Sequence, residues 1–248
     1  MCNTTSNWYF PPKILRLNSN EIHVWRTSLD MDACSIHSLH QTLSADEQQR
    51  AALFHFQKDR EHFIVARGLL REILSRYLDQ NPDDISFYYN QHGKPALHIH
   101  GQEPLHFNIS HSHGLALYAV ASHPVGIDIE RIRTDFPHSE IAKKFFSSQE
   151  NAMLRSLPPN LQPKAFFTCW TRKEAYIKAT GKGLSIPLNQ FEVSLLPGEP
   201  AVLLSIQDDV EAASHWLLQD LNPDSDYVAA LAIEKHDWQF KYWTWDPL

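Results

Sequence analysis

Asp128 and Glu130 stand one residue apart in the run PVGIDIERIR, Pro124 to Arg133. If that run is a strand, successive side chains alternate, so Ile127 and Ile129 share one face and the two carboxylates share the other. Neighbouring negative charges repel, and ionised carboxylates held this close call for a cation, a shared proton or open water. A second segment, CWTRKEAYIKATGKGL from Cys169 to Leu184, places Trp170, Glu174 and Lys178 at four-residue intervals, which stacks them on one side of a helix. An ordinary Glu-to-Lys surface pair beside a partly buried Trp would satisfy that spacing. Brought beside Asp128 and Glu130, however, Glu174 would complete a three-carboxylate oxygen site of the kind that suits Mg²⁺. Lys173 and Lys178 would flank it. Cations beside a cation are unfavourable unless a polyanion lies between them, so the arrangement points to a phosphate-bearing substrate.

A third segment fits the same scheme. Lys94 follows a glycine and precedes a proline in HGKPAL, a turn from which a lysine can project toward a ligand. Ser110 and His111 end a strand in FNISHSHG and could donate hydrogen bonds to phosphate oxygens. His111 and His113 alternate and could be read as half a zinc site, but no Cys or His pair at ligand spacing completes it, and His98 with His100 is the only competitor. Most of the 15 histidines need no role beyond solvent exposure or core hydrogen bonding.

These residues must be positioned by helices and short strands. From Asp59 to about Leu78, Phe63, Leu70, Ile73, Leu74 and Tyr77 follow one helical face, and Arg60, Arg67 and Arg71 form a bordering stripe whose plainest reading is a solvated edge. NPDD ends that helix, and ISFYY, LHFNIS, LALYAVA and VGIDIE follow as strands. Helical pattern returns after Pro137. Ser147 and Glu150 form a capping-box signature, and a helix from about Lys164 to Thr180 stops at Gly181. FEVSLL, AVLLSI, HWLLQDL, YVAALAI and WQFKYWTW then read as strands. Each half is thus helical material followed by strands, which predicts an α+β duplication with a boundary near residue 125 and the acidic run at the junction.

The chain has 248 residues and a formal net charge of −7, so no global field favours nucleic acid or an anionic membrane, and any anionic ligand must meet a local basic patch. Cys2, Cys34 and Cys169 are too few and too scattered for a disulfide framework or a zinc knuckle. With no signal pattern in MCNTTSNWYFPPK and no apolar run long enough for a bilayer, the expectation is a soluble, cytoplasmic protein.

In that order and at those separations, FNISHS, GIDIE, FFSSQE and WTRKEAYIKATGKGL closely resemble the 4′-phosphopantetheinyl transferases, in particular the long, two-lobed class that includes the surfactin-synthetase activator. The match spans roughly residues 45 to 195. The resemblance implies a monomer of two similar α/β lobes related by pseudo-twofold symmetry, each with helices on a mainly antiparallel sheet. Residues 1–125 would form the N-terminal lobe, holding the nucleotide end of coenzyme A. Residues 126–248 would form the C-terminal lobe with the metal-binding helix, and the active site would lie between them. It implies Mg²⁺-dependent transfer of the phosphopantetheine arm of coenzyme A to a serine of an apo acyl or peptidyl carrier protein, releasing adenosine 3′,5′-bisphosphate. Asp128, Glu130 and Glu174 look like the metal ligands and Lys178 like a pyrophosphate contact. Lys94, Ser110 and His111 look like nucleotide-end contacts, and Lys173 lies beside the reacting groups. Glu150 aligns with an acid implicated in deprotonating the serine, and its capping-box role stands beside that one. Arg50 and Lys58 sit where relatives carry nucleotide-binding cations, whereas His62 departs from an arginine found in some. Ile141 to Phe146, with Lys143 and Lys144, offers apolar and basic groups to an acidic carrier helix. Two other readings use the same residues: a Mg²⁺-dependent nucleotide hydrolase with water as attacker, and an inactive module that binds coenzyme A or the carrier.

Overall fold

The computed structural model describes residues 7–91, 93–97 and 104–245, and it turns the alternation of VGIDIER into a strand, β6 (Val125–Arg131). Ahead of it come β1 (Glu21–Ser28), α1 (Ala33–Gln41), α2 (Ala45–Ala52), α3 (Gln57–Leu78), the hairpin β2 (Phe87–Tyr89) and β3 (Pro95–Leu97), then β4 (His106–Ser112) and β5 (Leu115–Ala121). After it come α4 (His138–Phe145), α5 (Ser148–Ser156), α6 (Gln162–Thr180), the hairpin β7 (Phe191–Val193) and β8 (Leu203–Ile206), α7 (Val210–Ser214), β9 (Trp216–Leu221) and β10 (Tyr227–Glu234). The two series share one plan: a strand, helices ending in a long one, a hairpin and two more strands. Their sheets share it too, since the order β1-β5-β4 in one matches β6-β10-β9 in the other. The α+β reading therefore stands, with a strand rather than a helix opening each series.

Several elements depart from the sequence expectations. Strand β1 and helices α1 and α2 were not anticipated. Strand β11 (Gln239–Thr244) leaves the second series and pairs in parallel with β1, from Glu21↔Gln239 to Arg26↔Thr244, so the first sheet reads β11-β1-β5-β4. The predicted 126–248 lobe accordingly gives its final strand to the other sheet. The arginine stripe is no solvated edge. Arg71 is 1% exposed, with Nε 2.7 Å from Glu47 Oε2 and Nη1 donating to the carbonyls of Pro82 and Ile85. Arg67 is also buried, 3.4 Å from Glu47 Oε1, while Arg60 alone of the three stays exposed.

Alternation along the strands sorts the core into layers. Ile22, Val24, Leu117 and Ala119 of the first sheet meet Ile127, Ile129, Leu231 and Ile233 of the second in one fully buried cluster between the sheets. On the outer face of the first sheet Trp25, Tyr118 and Val120 pack on Leu70, Ile73 and Leu74 of α3. On the outer face of the second, Ala230 and Ala232 pack under α6 with Phe166, Ala175 and Ile177. Each large side chain so buried contributes about 1.5–3 kcal/mol relative to an exposed one. No helix among the described residues is long and apolar enough to cross a membrane.

Candidate active site

Small residues let α6 lie directly on β6. A Cβ built on Gly126 would fall 2.0 Å from the Ala175 carbonyl oxygen and 2.3 Å from the Ala179 nitrogen, so only glycine admits the helix at that crossing. The partners of β6 under the helix are likewise small, with Gly126 opposite Ala232 and Asp128 opposite Ala230. Two and four residues beyond the glycine, Asp128 and Glu130 face the same side. α6 brings Glu174 and Lys178 over them before Gly181, at φ 68°, ends the helix in the left-handed conformation.

β4 supplies the other wall. It runs alongside β6 at the point where the two sheets meet, and side chains join the strands in place of a backbone ladder. Asn108 Oδ1 accepts from the Ile127 N–H at 2.8 Å. Ser110 Oγ donates to Asp128 Oδ1 at 2.8 Å, and Ser112 Oγ donates to Glu130 Oε2 at 2.8 Å while accepting from the Arg131 N–H at 3.2 Å. Asn108 and Ser112 were missed from the sequence. The alternation N-x-S-x-S in FNISHS was the available signal, because it puts three small polar side chains on one face of the strand.

The electrostatics follow from crowding. Lys178 Nζ donates to Asp128 Oδ1 at 2.7 Å, to Ser110 Oγ at 3.0 Å and to the Ile127 carbonyl at 3.2 Å. Asp128 is 5% exposed, and its second oxygen, Oδ2, is buried with no hydrogen-bond partner among the described residues. Burial raises the pKa of Glu130, with a further upward push from Asp128 against the pull of Ser112, Arg133 and Lys178. Burial also raises that of Glu174, and Asp128 and Glu130 add to it while Lys178 opposes them. The three acids thus feel one another, and one lysine offsets part of their charge.

Lys94 reaches the same corner from the β2–β3 hairpin, donating to the carbonyls of Val125 at 3.2 Å and Lys178 at 2.6 Å. Burial and the nearby Lys178 push its pKa down to about 8. His111 sits at the mouth, where packing on its inner side, together with Lys178 and His62, lowers its pKa against the pull of Asp128. His62 bonds Asp30 Oδ1 at 2.9 Å, and exposed Lys58 lies 3.4 Å from the same oxygen. Arg50 stands apart, exposed, with its guanidinium 5.7 Å from the Phe63 ring centre. Trp170 packs among Phe145 and Phe166. His92, His98, His100 and Cys2 lie outside the described residues.

Glu150 and Lys173 are not brought to this cluster: Lys173 does not flank the acids as expected, and of the two roles open to Glu150 the structure shows the capping box. Both are 0% exposed and lie 2.8 Å apart as a buried ion pair. Glu150 Oε2 accepts from the Ser147 N–H at 2.9 Å, closing the capping box of α5, and Oε1 accepts from the Val193 N–H at 2.9 Å. Lys173 Nζ donates to the carbonyls of Leu188 and Phe191. Every strong valence of the pair is spent on holding α5, α6 and β7 together.

The acid cluster thus lies under a lysine-bearing helix at a seam between two matching sheets, with one buried carboxylate oxygen that no described residue bonds. Residues 124–232 match the family described as the 4′-phosphopantetheinyl transferase superfamily, and residues 14–124 match 4′-phosphopantetheinyl transferase, N-terminal. The chain belongs to this superfamily and is a 4′-phosphopantetheinyl transferase, the class that moves the phosphopantetheine arm of coenzyme A onto carrier proteins. The 4′-phosphopantetheinyl transferase HetI of Nostoc is 42% identical over 95% of this chain and 97% of its own. The enzyme gsp of Aneurinibacillus migulanus is 38% identical over 65% of this chain and 66% of its own, and Sfp of Bacillus subtilis is 37% identical over 62% and 66%.

Proposed function

We propose that this site transfers the arm to a serine hydroxyl of an apo acyl or peptidyl carrier protein, with Mg²⁺ held by Asp128, Glu130 and Glu174. The observation that carries the metal assignment is Asp128 Oδ2, a buried carboxylate oxygen that no described residue bonds, beside two acids whose burial and mutual repulsion disfavour their charge. Among the described residues no three His, Cys, Asp or Glu side chains close into a ready-made cage. Mg²⁺ needs none, since it is commonly held by one or two carboxylates with waters and substrate phosphates completing six oxygens. The donor set therefore fits.

Charge neutralisation on the pyrophosphate oxygens is what a bound Mg²⁺ supplies. Lys178 adds a fixed positive charge on the same side, kept in place by Ser110 and the Ile127 carbonyl. Lys94 and Lys178 offer ammonium groups to the bridging phosphates, while His111, Lys58 and His62 line the way to the nucleotide end. In the transfer, the serine oxygen forms a bond to the phosphorus of the pantetheine phosphate and the bond to the nucleotide phosphate breaks. Adenosine 3′,5′-bisphosphate carries away the electron pair. The burial of Glu150 and its full set of bonds support a structural role for it, and the serine proton passes to water on the open side of the cluster, where Glu130 and Glu174 are part-buried. Ser112 fixes Glu130 through one hydrogen bond, so Ser112→Ala should lower transfer about tenfold in a single-turnover assay without a change in fold.

β4 and the β2–β3 hairpin come from one half of the chain and β6 with α6 from the other, which supports a monomer as the working unit. Among the described residues Cys34, exposed, and Cys169, buried, are free thiols, which supports a reducing, cytoplasmic setting. Incubation with coenzyme A, Mg²⁺ and a panel of apo carrier proteins should give a mass gain of one phosphopantetheine arm on at least one carrier. Release of the arm as the free phosphate with no carrier modified would instead make the protein a hydrolase. Lys143 and Lys144 are exposed on α4 beside the part-buried Ile141 and Phe145. Reversing both charges should raise the KM for the carrier roughly fivefold and leave that for coenzyme A unchanged; equal KM values would remove α4 from the docking face.

A further inference from the structure

The β2–β3 hairpin belongs to the first half of the chain, yet its tip rests on the end of α6 in the second. Two strands of three residues each are marginal by themselves. Phe87 and Leu97 pack the base of the hairpin on the core of the first half. At the tip, the side chain of Asn90 does two things. Its Oδ1 accepts from the Lys94 N–H at 3.0 Å, which closes the turn together with the Asn90 N–H on the Lys94 carbonyl at 3.1 Å and the Gly93 N–H on the Asn90 carbonyl at 2.9 Å. Its Nδ2 donates across the seam to the Gly181 carbonyl at 3.0 Å.

The last carbonyls of a helix lack partners within it. Here the Lys178 carbonyl takes the Gly181 N–H at 3.3 Å and the Lys94 ammonium at 2.6 Å, and the Gly181 carbonyl takes Asn90. The same turn of α6 sends the Lys178 side chain to Asp128 and Ser110, and Glu174 stands one turn before it. A hairpin from one half thus holds the end of the helix that carries reacting groups in the other. A reacting geometry displaced by about an ångström can lose on the order of a hundredfold in rate.

We infer that Asn90 is a positioning residue for the transfer: its amide clasps the Lys94 turn to the end of α6, so that Lys94 and Lys178, one from each half, face the same bridging phosphates. The inference rests on the assignment of those two lysines to the substrate's phosphates. Asn90 acts through them, fixing where each ammonium group starts.

The test compares Asn90→Ala, Asn90→Asp and Lys178→Met with the wild type in the full-length protein. Asn90→Ala should lower kcat about tenfold with the KM for the carrier unchanged. Its melting temperature should fall by only about 2–4 °C, the effect of one hydrogen bond in a chain of this size. Backbone amides in the last turn of α6 should exchange with deuterium roughly tenfold faster than in the wild type. Asn90→Asp keeps an acceptor for the Lys94 N–H and loses the donor to Gly181, so it should be as slow as Asn90→Ala. Full kcat in Asn90→Ala, a defect confined to the KM for coenzyme A, or unchanged exchange at the end of α6 would overturn the inference. So would recovery of the rate in Asn90→Asp, which would leave the amide a part of the turn alone. Lys178→Met separates the two failures. If it is inactive while Asn90→Ala is fully active, the clasp alone is lost; if it is fully active, the phosphate assignment beneath the clasp is lost.

Discussion

Glu174→Gln should lose transfer by at least about a hundredfold and at the same time make the protein more resistant to heat. The first half follows from the assignment of Glu174 to the metal site: losing even an outer partner of a metal site costs up to about a hundredfold, and losing a ligand should cost no less. The second half follows from its surroundings. Its carboxylate has no hydrogen-bond partner among the described residues, and burial with Asp128 and Glu130 beside it holds its pKa above the ordinary range. A carboxyl that takes up its proton more readily in the folded state than in the unfolded one favours folding at low pH. That advantage is given up as pH rises from the ordinary carboxylate range through the raised value. Above the raised value the charge on Glu174 is therefore a net cost to the fold, and an amide of the same shape removes it. Asp128→Asn should lose transfer as fully but without the gain, since it removes the negative charge that lies 2.7 Å from the Lys178 ammonium. Single-turnover transfer and thermal melting of both variants decide the matter. Near-normal turnover by either would refute the metal assignment, and a melting point for Glu174→Gln well below wild type would refute the account of its environment.

The opposite pattern is expected at the buried pair. Glu150→Ala should destabilise by about 3–5 kcal/mol, because it leaves the Lys173 ammonium without its counter-charge and the Ser147 and Val193 N–H groups without an acceptor. At about 2–4 °C per kcal/mol for a chain of this size, melting should fall by roughly 6–20 °C. Lys173→Ala should do likewise. Together, Glu150→Ala and Lys173→Met should cost less than the sum of the single changes, since neither charge is then left alone. Measured below its melting range, that double variant should retain most of its transfer rate. A rate near zero in a folded double variant would return Glu150 to the chemistry.

The contrast marks where sequence reading succeeds. GIDIE shows its shared acidic face because strand alternation is local, and Trp170, Glu174 and Lys178 show theirs because helical spacing is local. The stop at Gly181 and the capping box at Ser147 are local signals as well. What cannot be seen from spacing is which remote group a side chain meets. Lys173 is next to Glu174 in sequence and points to a different core; Arg71 resembles a surface residue until Glu47 arrives from another helix. Ser112 and Asn108 acquire purpose only when β6 is laid beside β4. Strand β11 could be recognised as a strand, but nothing in WQFKYWTW states that its neighbour is β1.

That pairing bears on how the molecule is made. With β11 absent, β1 presents an open row of backbone donors and acceptors at the rim of the first sheet, a template for unwanted association. A nascent polypeptide holding only the first half would carry this raw margin until synthesis of the remainder delivers its cover. The two halves look like tandem copies, yet the first is completed by a segment translated after the second.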